Sequence, residues 1–127
     1  MSERERLPDT RGSVTKRLCF LPVDENEPME PLYLTVGLYE DGRVGELFFH
    51  GRMGELAHGL ADACALVASL ALQRGVPLVD ITTKWRGMRF APAGFTGDKE
   101  FPRASSILDY AAKWLESRFV YRDEVQG

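Results

Sequence analysis

The segment "LYLTVGLYEDGRVGELFFHG" restricts the fold more than any other part of the chain. From Leu32 to Leu38 every second residue is aliphatic, and this period of two places the aliphatic side chains on one face of a β-strand. Asp41 and Gly42 follow, a pair that favours the two positive φ angles of a type I′ turn. The apolar residues after the turn form the returning strand. The segment therefore predicts an antiparallel hairpin.

An earlier stretch, "SVTKRLCF", also alternates, with Val14, Lys16, Leu18 and Phe20 on one side. Residues 14–50 are therefore predicted to form an antiparallel sheet of about three strands. Residues 1–13 are polar and are expected to form an extended lead-in. They hold no apolar core of the kind that a signal peptide needs, so no signal peptide is expected.

A helix of about 20 residues is predicted over residues 55–74, with Gly75 as its C-terminal cap and Pro77 preventing its continuation. Its apolar residues cover most of the helix circumference, so nearly the whole helix must be buried. A second subunit is the expected partner, and burial within a single domain is the alternative. Four small residues would allow close helix contact with that subunit. These are Ala61, Ala65, Ala68 and Ser69.

The segment "VPLVDITTKW" is consistent with a short strand or with a helical turn. "SSILDYAAKWLESRFV" predicts a second long helix, with Ser105 or Ser106 as the N-cap and an amphipathic apolar stripe. Residues 121–127 form a polar tail. The expected fold is α+β, an antiparallel sheet of about three strands followed by two helices, in one domain over residues 14–120 that forms oligomers.

Composition narrows the class of protein. The length of 127 residues suits one domain with a real core. No uninterrupted apolar run of about 18 residues is evident, so no membrane segment is expected. The two cysteines lie far apart, which indicates a reducing, cytoplasmic setting. The net charge of −3 argues against binding to duplex nucleic acid, which depends on phosphate neutralisation.

The sequence shows no organised catalytic or metal site. His50, His58, Cys19 and Cys64 lack the spacing of metal ligands. There is no nucleophile motif of the G-x-S-x-G type, and a cysteine among alanines and leucines is inert. We therefore expect a protein that is not an enzyme and that carries no metal and no cofactor.

One segment differs from the acidic remainder of the chain, "TTKWRGMRFAPAGFTGDKEFPRASS", residues 82–106. It has five cations and two carboxylates, a net +3, so the other residues carry −6. Arginine forks suit phosphate oxygens, and aromatic rings suit bases. The segment therefore predicts binding of a small anionic nucleotide, with the helix N-terminus near Ser105 adding a favourable dipole. The alternative is that the cations pair with carboxylates while Phe90 and Phe95 fill the core.

Each candidate residue has an expected role. Cations are expected to contact phosphate, an aromatic ring is expected to stack on the base, and Asp98 is expected to accept hydrogen bonds from ribose. The candidate ligand-binding residues are Arg52, Lys84, Trp85, Arg86, Arg89, Phe90, Phe95, Asp98, Lys99 and Arg103.

Four stretches, in order, resemble a known domain: "RLPDTRGSVTKR", "LYLTVGLYEDGRVGELFF", "LADACALVASLALQRGVPL" and "RFAPAGFTGDKEFPRASSILDYAAKWL". They are similar to the C-terminal TSCPD-type domain of adenosylcobalamin-dependent ribonucleotide reductases, from about Arg6 to Phe119. The catalytic barrel of those enzymes, their radical cysteine, their cobalamin-binding region and their C-terminal cysteine pair have no counterpart here. The resemblance implies a domain that cannot reduce ribonucleotides alone.

Two functions are compatible with this resemblance. The order of sheet and helices also resembles a phage anti-Thoeris family, oligomeric sponges that sequester cyclic ADP-ribose-type signals and in some members cyclic oligonucleotides. The first expectation is such a sponge. The alternative is an accessory or regulatory domain of an adenosylcobalamin-dependent ribonucleotide reductase.

Overall fold

The computed structural model describes residues 3–24, 26, 29–53 and 55–120. Its α+β class and its three-stranded antiparallel sheet confirm the sequence prediction. The elements are β1 (Ser13–Leu18), β2 (Leu32–Leu38), β3 (Val44–Gly51), α1 (Glu55–Gln73), α2 (Leu78–Trp85), β4 (Gly94–Phe95), β5 (Arg103–Ala104) and α3 (Ile107–Leu115), which continues as a π-helical turn (Glu116–Val120). The segment left open between strand and helix is thus the helix α2, so the described residues contain three helices. The predicted tail, residues 121–127, lies outside the described residues.

The sheet has the order β1-β2-β3, and both neighbouring pairs are antiparallel. The alternation seen in the sequence puts Leu18, Leu34 and Phe49 on the buried face.

The turn between β2 and β3 differs from the expected type I′ turn. Gly42 has a φ of +90°, whereas no residue other than glycine has a positive φ in the described part of the chain. Asp41 therefore stays in an ordinary conformation, and a single positive φ suffices because the loop is longer than two residues.

Helix α1 closes the free edge of β3 through polar side chains. The hydroxyl of Ser69 accepts a hydrogen bond from the N–H of Leu47 at 2.9 Å and lies 3.1 Å from the Leu47 carbonyl. The Gln73 amide donates to the Gly45 carbonyl at 3.0 Å. His58 Nε2 donates to the Phe49 carbonyl at 3.1 Å. An exposed strand edge invites pairing with another chain, and these contacts remove that edge.

The small residues of α1 face the sheet of their own chain. Ala61, Ala65, Ala68 and Ser69 are all buried, whereas the sequence suggested that they would meet a second subunit. That prediction is wrong because the polar edge of β3 needs Ser69 and Gln73, and the small side chains beside them allow the close approach. Most of the large apolar side chains of α1 consequently point outwards, whereas Leu72 is buried in the core.

Helix α3 is the most deeply buried helix of the described chain. Its predicted stripe is buried, but so are residues outside the stripe, among them Leu108, Ala112 and Asp109. Tyr110 packs edge-on against Phe20, with 6.0 Å between the ring centroids. Of the two predicted candidates for the N-cap, Ser105 and Ser106, the cap is Ser106, whose hydroxyl accepts from the N–H of Asp109. In the single chain, α3 is therefore buried more completely than its amphipathic stripe predicts, and α1 keeps one exposed apolar face, for which the sequence predicted a second subunit.

The window Leu56–Gln73 is long and apolar enough to cross a membrane, with a mean hydropathy of 1.4. Asp62 lies within this window, so the expectation that the chain has no uninterrupted apolar run of about 18 residues holds. The inner face of the helix is hydrogen-bonded to β3, and 39% of the window is buried inside the protein.

Replacing the hydroxyl that closes the sheet edge tests this arrangement. In Ser69→Ala the buried N–H of Leu47 loses its partner, so we expect the free energy of unfolding to fall by about 1–3 kcal/mol. Urea unfolding followed by circular dichroism measures this change. In Ser117→Ala the lost hydroxyl bonds only to the carbonyl of Trp114 in its own helix, and we expect a change within about 0.5 kcal/mol. Equal effects in the two variants would contradict the role of Ser69.

Candidate functional site

A basic groove lies where the end of α2, the β4–β5 pair and the start of α3 meet. Its volume is about 550 Å³. Gly87 turns the chain away from α2 with a φ of +85°, and the short β4–β5 ladder holds Gly94 beside Ala104. The groove is lined by Arg86, Gly87, Arg89, Gly94, Arg103, Ala104, Ser105, Asp109 and Lys113.

Asp109 ties the three sides of the groove together. Its carboxylate accepts from the N–H of Gly87 at 2.7 Å and from the N–H of Ser105 at 2.9 Å. Lys113 pairs with it at 3.0 Å, and the Asp109 side chain is only 3% exposed. Burial raises the pKa of Asp109, but these hydrogen bonds outweigh burial, so the net pKa is lowered. The start of α3 is thus occupied by its own carboxylate, which corrects the expectation that its dipole is available to a ligand.

Four cations line the groove together with Asp109, namely Arg86, Arg89, Arg103 and Lys113. Arg86 also approaches the buried carboxylate of Glu116 at 3.3 Å. The Arg103 guanidinium lies 4.7 Å from the centroid of the Phe95 ring. Arg89 is exposed, and it makes no ion pair or hydrogen bond within the described part of the chain. Four cations against two carboxylates leave an excess of positive charge, which makes the groove suitable for an anion.

The structure brings Arg86, Arg89 and Arg103 together, as the sequence predicted. It adds Lys113, which the sequence analysis missed because this lysine lies in the helix, ten residues beyond Arg103. The sequence could have indicated Lys113 through its spacing of four residues from Asp109, because side chains with this spacing meet on a helix surface.

The aromatic candidates have different environments. Trp85 is 7% exposed and packs against Phe49, with 6.2 Å between the ring centroids. Trp85 is therefore a core residue and offers no free face to a base. Phe90 is half-buried against the core. Phe95 is 57% exposed beside Arg103, so it is the aromatic candidate whose ring remains accessible.

Three of the cationic candidates lie apart from the groove. Lys84 lines a separate hollow between α1 and α2. Arg52 follows β3, and Lys99 lies in the loop between β4 and β5. Both are exposed, and neither lines the groove.

Asp98 anchors the loop between β4 and β5. Its carboxylate accepts from Lys16 at 2.9 Å, from the hydroxyl of Tyr110 at 2.8 Å and from the N–H of Glu100 at 3.0 Å. Burial raises the pKa of Asp98, but the hydrogen bonds from Lys16 and Tyr110 outweigh it and lower the pKa to about 2. These contacts already use the oxygens that were expected to accept from ribose, so Asp98 has a structural role.

In the part of the chain that the structure describes, the histidines and carboxylates do not form a metal centre. No group of three or more His, Cys, Asp or Glu residues in the described ranges could hold a metal ion. His50 stacks on Tyr33 and lies 2.9 Å from the hydroxyl of Thr35, and His58 is used by the β3 edge. The groove contains cations and backbone groups, which suit binding rather than acid–base chemistry.

The sequence profile of the TSCPD domain matches residues 3–119, a range that contains every residue of the groove. The chain belongs to the TSCPD-domain family. It is 41% identical over 118 residues to a vitamin B12-dependent ribonucleotide reductase of Rhodopirellula baltica, covering 92% of this chain and 11% of that relative. It is 34% identical to relatives of the same name from Streptantibioticus cattleyicolor, covering 92% of this chain and 18% of the relative, and from Bradyrhizobium diazoefficiens, covering 96% and 9%.

The TSCPD chain therefore spans less than a fifth of the length of these curated relatives. No solved structure matches it. The family match confirms the resemblance inferred from the four quoted stretches.

The anchoring role of Asp98 predicts a specific dependence of stability on pH. Because its folded pKa of about 2 is lower than the ordinary 3.8, its contribution is complete above about pH 4 and is lost as the pH falls towards 2. Wild type should exceed Asp98→Asn in unfolding free energy by about 1–2 kcal/mol at pH 7. Urea unfolding between pH 2 and pH 7 should show this difference shrinking below pH 4. A difference that stays constant would contradict the assignment.

Proposed function

We propose that this chain is a non-catalytic nucleotide-binding domain that serves a B12-dependent ribonucleotide reductase. The observation that carries the proposal is the convergence of Arg86, Arg89, Arg103 and Lys113 on one groove. The family supplies the class of ligand, because the relatives are named for their action on ribonucleotides.

Phosphate is the part of a nucleotide that the groove would hold. Arginine presents planar donors that match phosphate oxygens two at a time, and Arg89 has its donors available. The groove is open and wide enough for more than one phosphate group. Asp109 keeps Gly87, Ser105 and Lys113 in place, so the backbone of the groove and one of its cations are held in position before a ligand arrives, which lowers the entropic cost of binding.

The base would lie against Phe95. Its ring is exposed on the strand that pairs with β5, and Arg103 already stacks on it. Stacking of a base on an aromatic ring contributes about 1–3 kcal/mol in single-strand binding proteins. Phe95 and the groove are joined through Arg103, so phosphate and base have adjacent sites.

A role as the nucleotide-binding part of a reductase would not require an organised catalytic centre, and none is seen among the described residues. Asp98 and Asp109 are both engaged in structural hydrogen bonds, so neither is available as a general base. A domain of this kind would bind nucleotide and a separate catalytic body would perform the reduction.

Sequestration of cyclic nucleotides is the second hypothesis, and it would use the same groove. A cyclic dinucleotide or a cyclic ADP-ribose isomer carries the same phosphate and base chemistry. What favours it is the combination of the exposed Phe95 with Arg89, which has no ion pair or hydrogen bond among the described residues, and with Asp109, the groove carboxylate, which is engaged in structural contacts. The ligand preference and the effect on a reductase distinguish the two hypotheses.

Binding at the groove is tested by calorimetric titration with ADP, ATP, cyclic ADP-ribose and cyclic di- and trinucleotides. Arg89→Ala should weaken binding of the preferred nucleotide at least tenfold, since it removes a charge-assisted contact worth about 1.5–3 kcal/mol. Lys99→Ala removes an equal charge from the β4–β5 loop, outside the groove, and should change affinity less than twofold. Equal losses in the two variants would show that net charge, rather than the groove, determines binding.

The link to a reductase is tested with a B12-dependent ribonucleotide reductase from which the matching segment has been deleted. Added wild-type chain should bind the truncated enzyme and raise its turnover at subsaturating nucleotide, whereas Arg89→Ala should bind the enzyme without raising turnover. No complex with the reductase, together with tight binding and intact recovery of a cyclic nucleotide, would overturn this proposal in favour of sequestration.

A further inference from the structure

The outer face of α1 carries an apolar ridge with a regular spacing. Neighbouring residues of the ridge are four, three, four and three positions apart in the sequence. The leucine and valine side chains among them are 41–77% exposed. This is the interval of a seam between two paired helices. The ridge consists of Leu56, Leu60, Ala63, Val67 and Leu70.

The ridge is complementary to itself when it is reversed. Leu56 and Leu70 lie seven residues on either side of Ala63, and Leu60 and Val67 lie three before it and four after it. In an antiparallel pair, Leu56 of one copy meets Leu70 of the other, Leu60 meets Val67, and Ala63 meets Ala63. A small residue at the centre allows the helices to approach closely.

We propose that α1 is a homodimer interface, in which the helices of two copies pair antiparallel about a two-fold axis at Ala63. A two-fold interface uses the same surface on both copies and must therefore be self-complementary. The order of side chains along the ridge satisfies this condition.

The surroundings of the ridge fit a second copy. On one flank lies a hollow of about 450 Å³ between α1 and α2, lined mainly by apolar side chains such as Ile81 and Ala71. On the other flank Leu66 and Phe48 are 64% and 46% exposed. The ridge of one copy can enter the hollow of the other, as ridges enter grooves in packed helices.

The area is sufficient for a dimer. The exposed large side chains of this face present on the order of 600 Å² per copy, the upper end of what monomers expose. Two copies would bury on the order of 1,200 Å² in total, the lower end of stable interfaces. Asp62 is the single charged residue between Leu56 and Gln73, and the hollow adds one residue of each sign, Asp80 and Lys84, so few charges lose contact with water on pairing.

Sedimentation equilibrium between 1 and 100 μM tests the proposal. Wild type should be a dimer, and the double variant Leu60→Glu/Val67→Glu should raise the dissociation constant at least 100-fold. Both side chains are exposed, so circular dichroism should show an intact fold. The control Val23→Glu adds a charge at a fully exposed apolar residue away from α1 and should leave the dimer unchanged. A monomeric wild type, or a dimer that survives the double variant, would overturn the proposal.

Disulfide formation tests the antiparallel arrangement. In a chain with Cys19→Ser and Cys64→Ser, Ala63→Cys should form a covalent dimer under mild oxidation, because Ala63 meets its copy. Leu70→Cys should not, because its counterpart is Leu56. Preferential linkage through Leu70→Cys would overturn the arrangement. A monomer that floats with phosphatidylcholine vesicles would identify the ridge as a lipid-binding face and would also overturn the proposal.

Discussion

The fold depends on how α1 closes the free edge of β3. The three-stranded sheet ends at β3, whose outward N–H and C=O groups need partners or water. Ser69, Gln73 and His58 provide these partners from one face of α1. That requirement fixes the rotation of α1, turns its small residues towards the sheet and leaves four of its leucines on the surface, namely Leu56, Leu60, Leu66 and Leu70. Helix α3 then fills the core that α1 does not occupy.

The position of α3 in the core determines the basic groove. Because α3 is buried, its first turn meets the loop after α2, and Asp109 binds backbone groups from both sides. The arginines of this loop and of β5 consequently gather around one buried carboxylate. The apolar ridge and the basic groove belong to different elements, α1 for the ridge and the α2–α3 region for the groove, so mutations can test the proposed dimer and the proposed ligand binding separately.

Much of the sheet follows from the sequence, because a period of two specifies which side chains share a face. The burial of the two long helices does not follow, since a helix that is apolar nearly all round has no periodic signal to show which face meets the sheet. Ser69 and Gln73 decide that question through hydrogen bonds to a strand edge. At the candidate site, charge composition selected Arg86, Arg89 and Arg103, which line the groove, together with Lys84 and Lys99, which do not. The aromatic content suggested Trp85, which instead packs against Phe49 in the core. Neither signal pointed to Lys113, which reaches the groove from within α3.

The central claim is that a ribonucleotide binds at the groove around Asp109. Titration of isotopically labelled protein with ADP, followed by the backbone amide signals in nuclear magnetic resonance spectra, measures this directly. The account predicts that the largest shifts occur at Gly87, Arg89, Gly94 and Ser105, while the amides of β1 and β2 stay unchanged. Absence of shifts at millimolar ADP, or shifts concentrated on the sheet or on the outer face of α1, would contradict it.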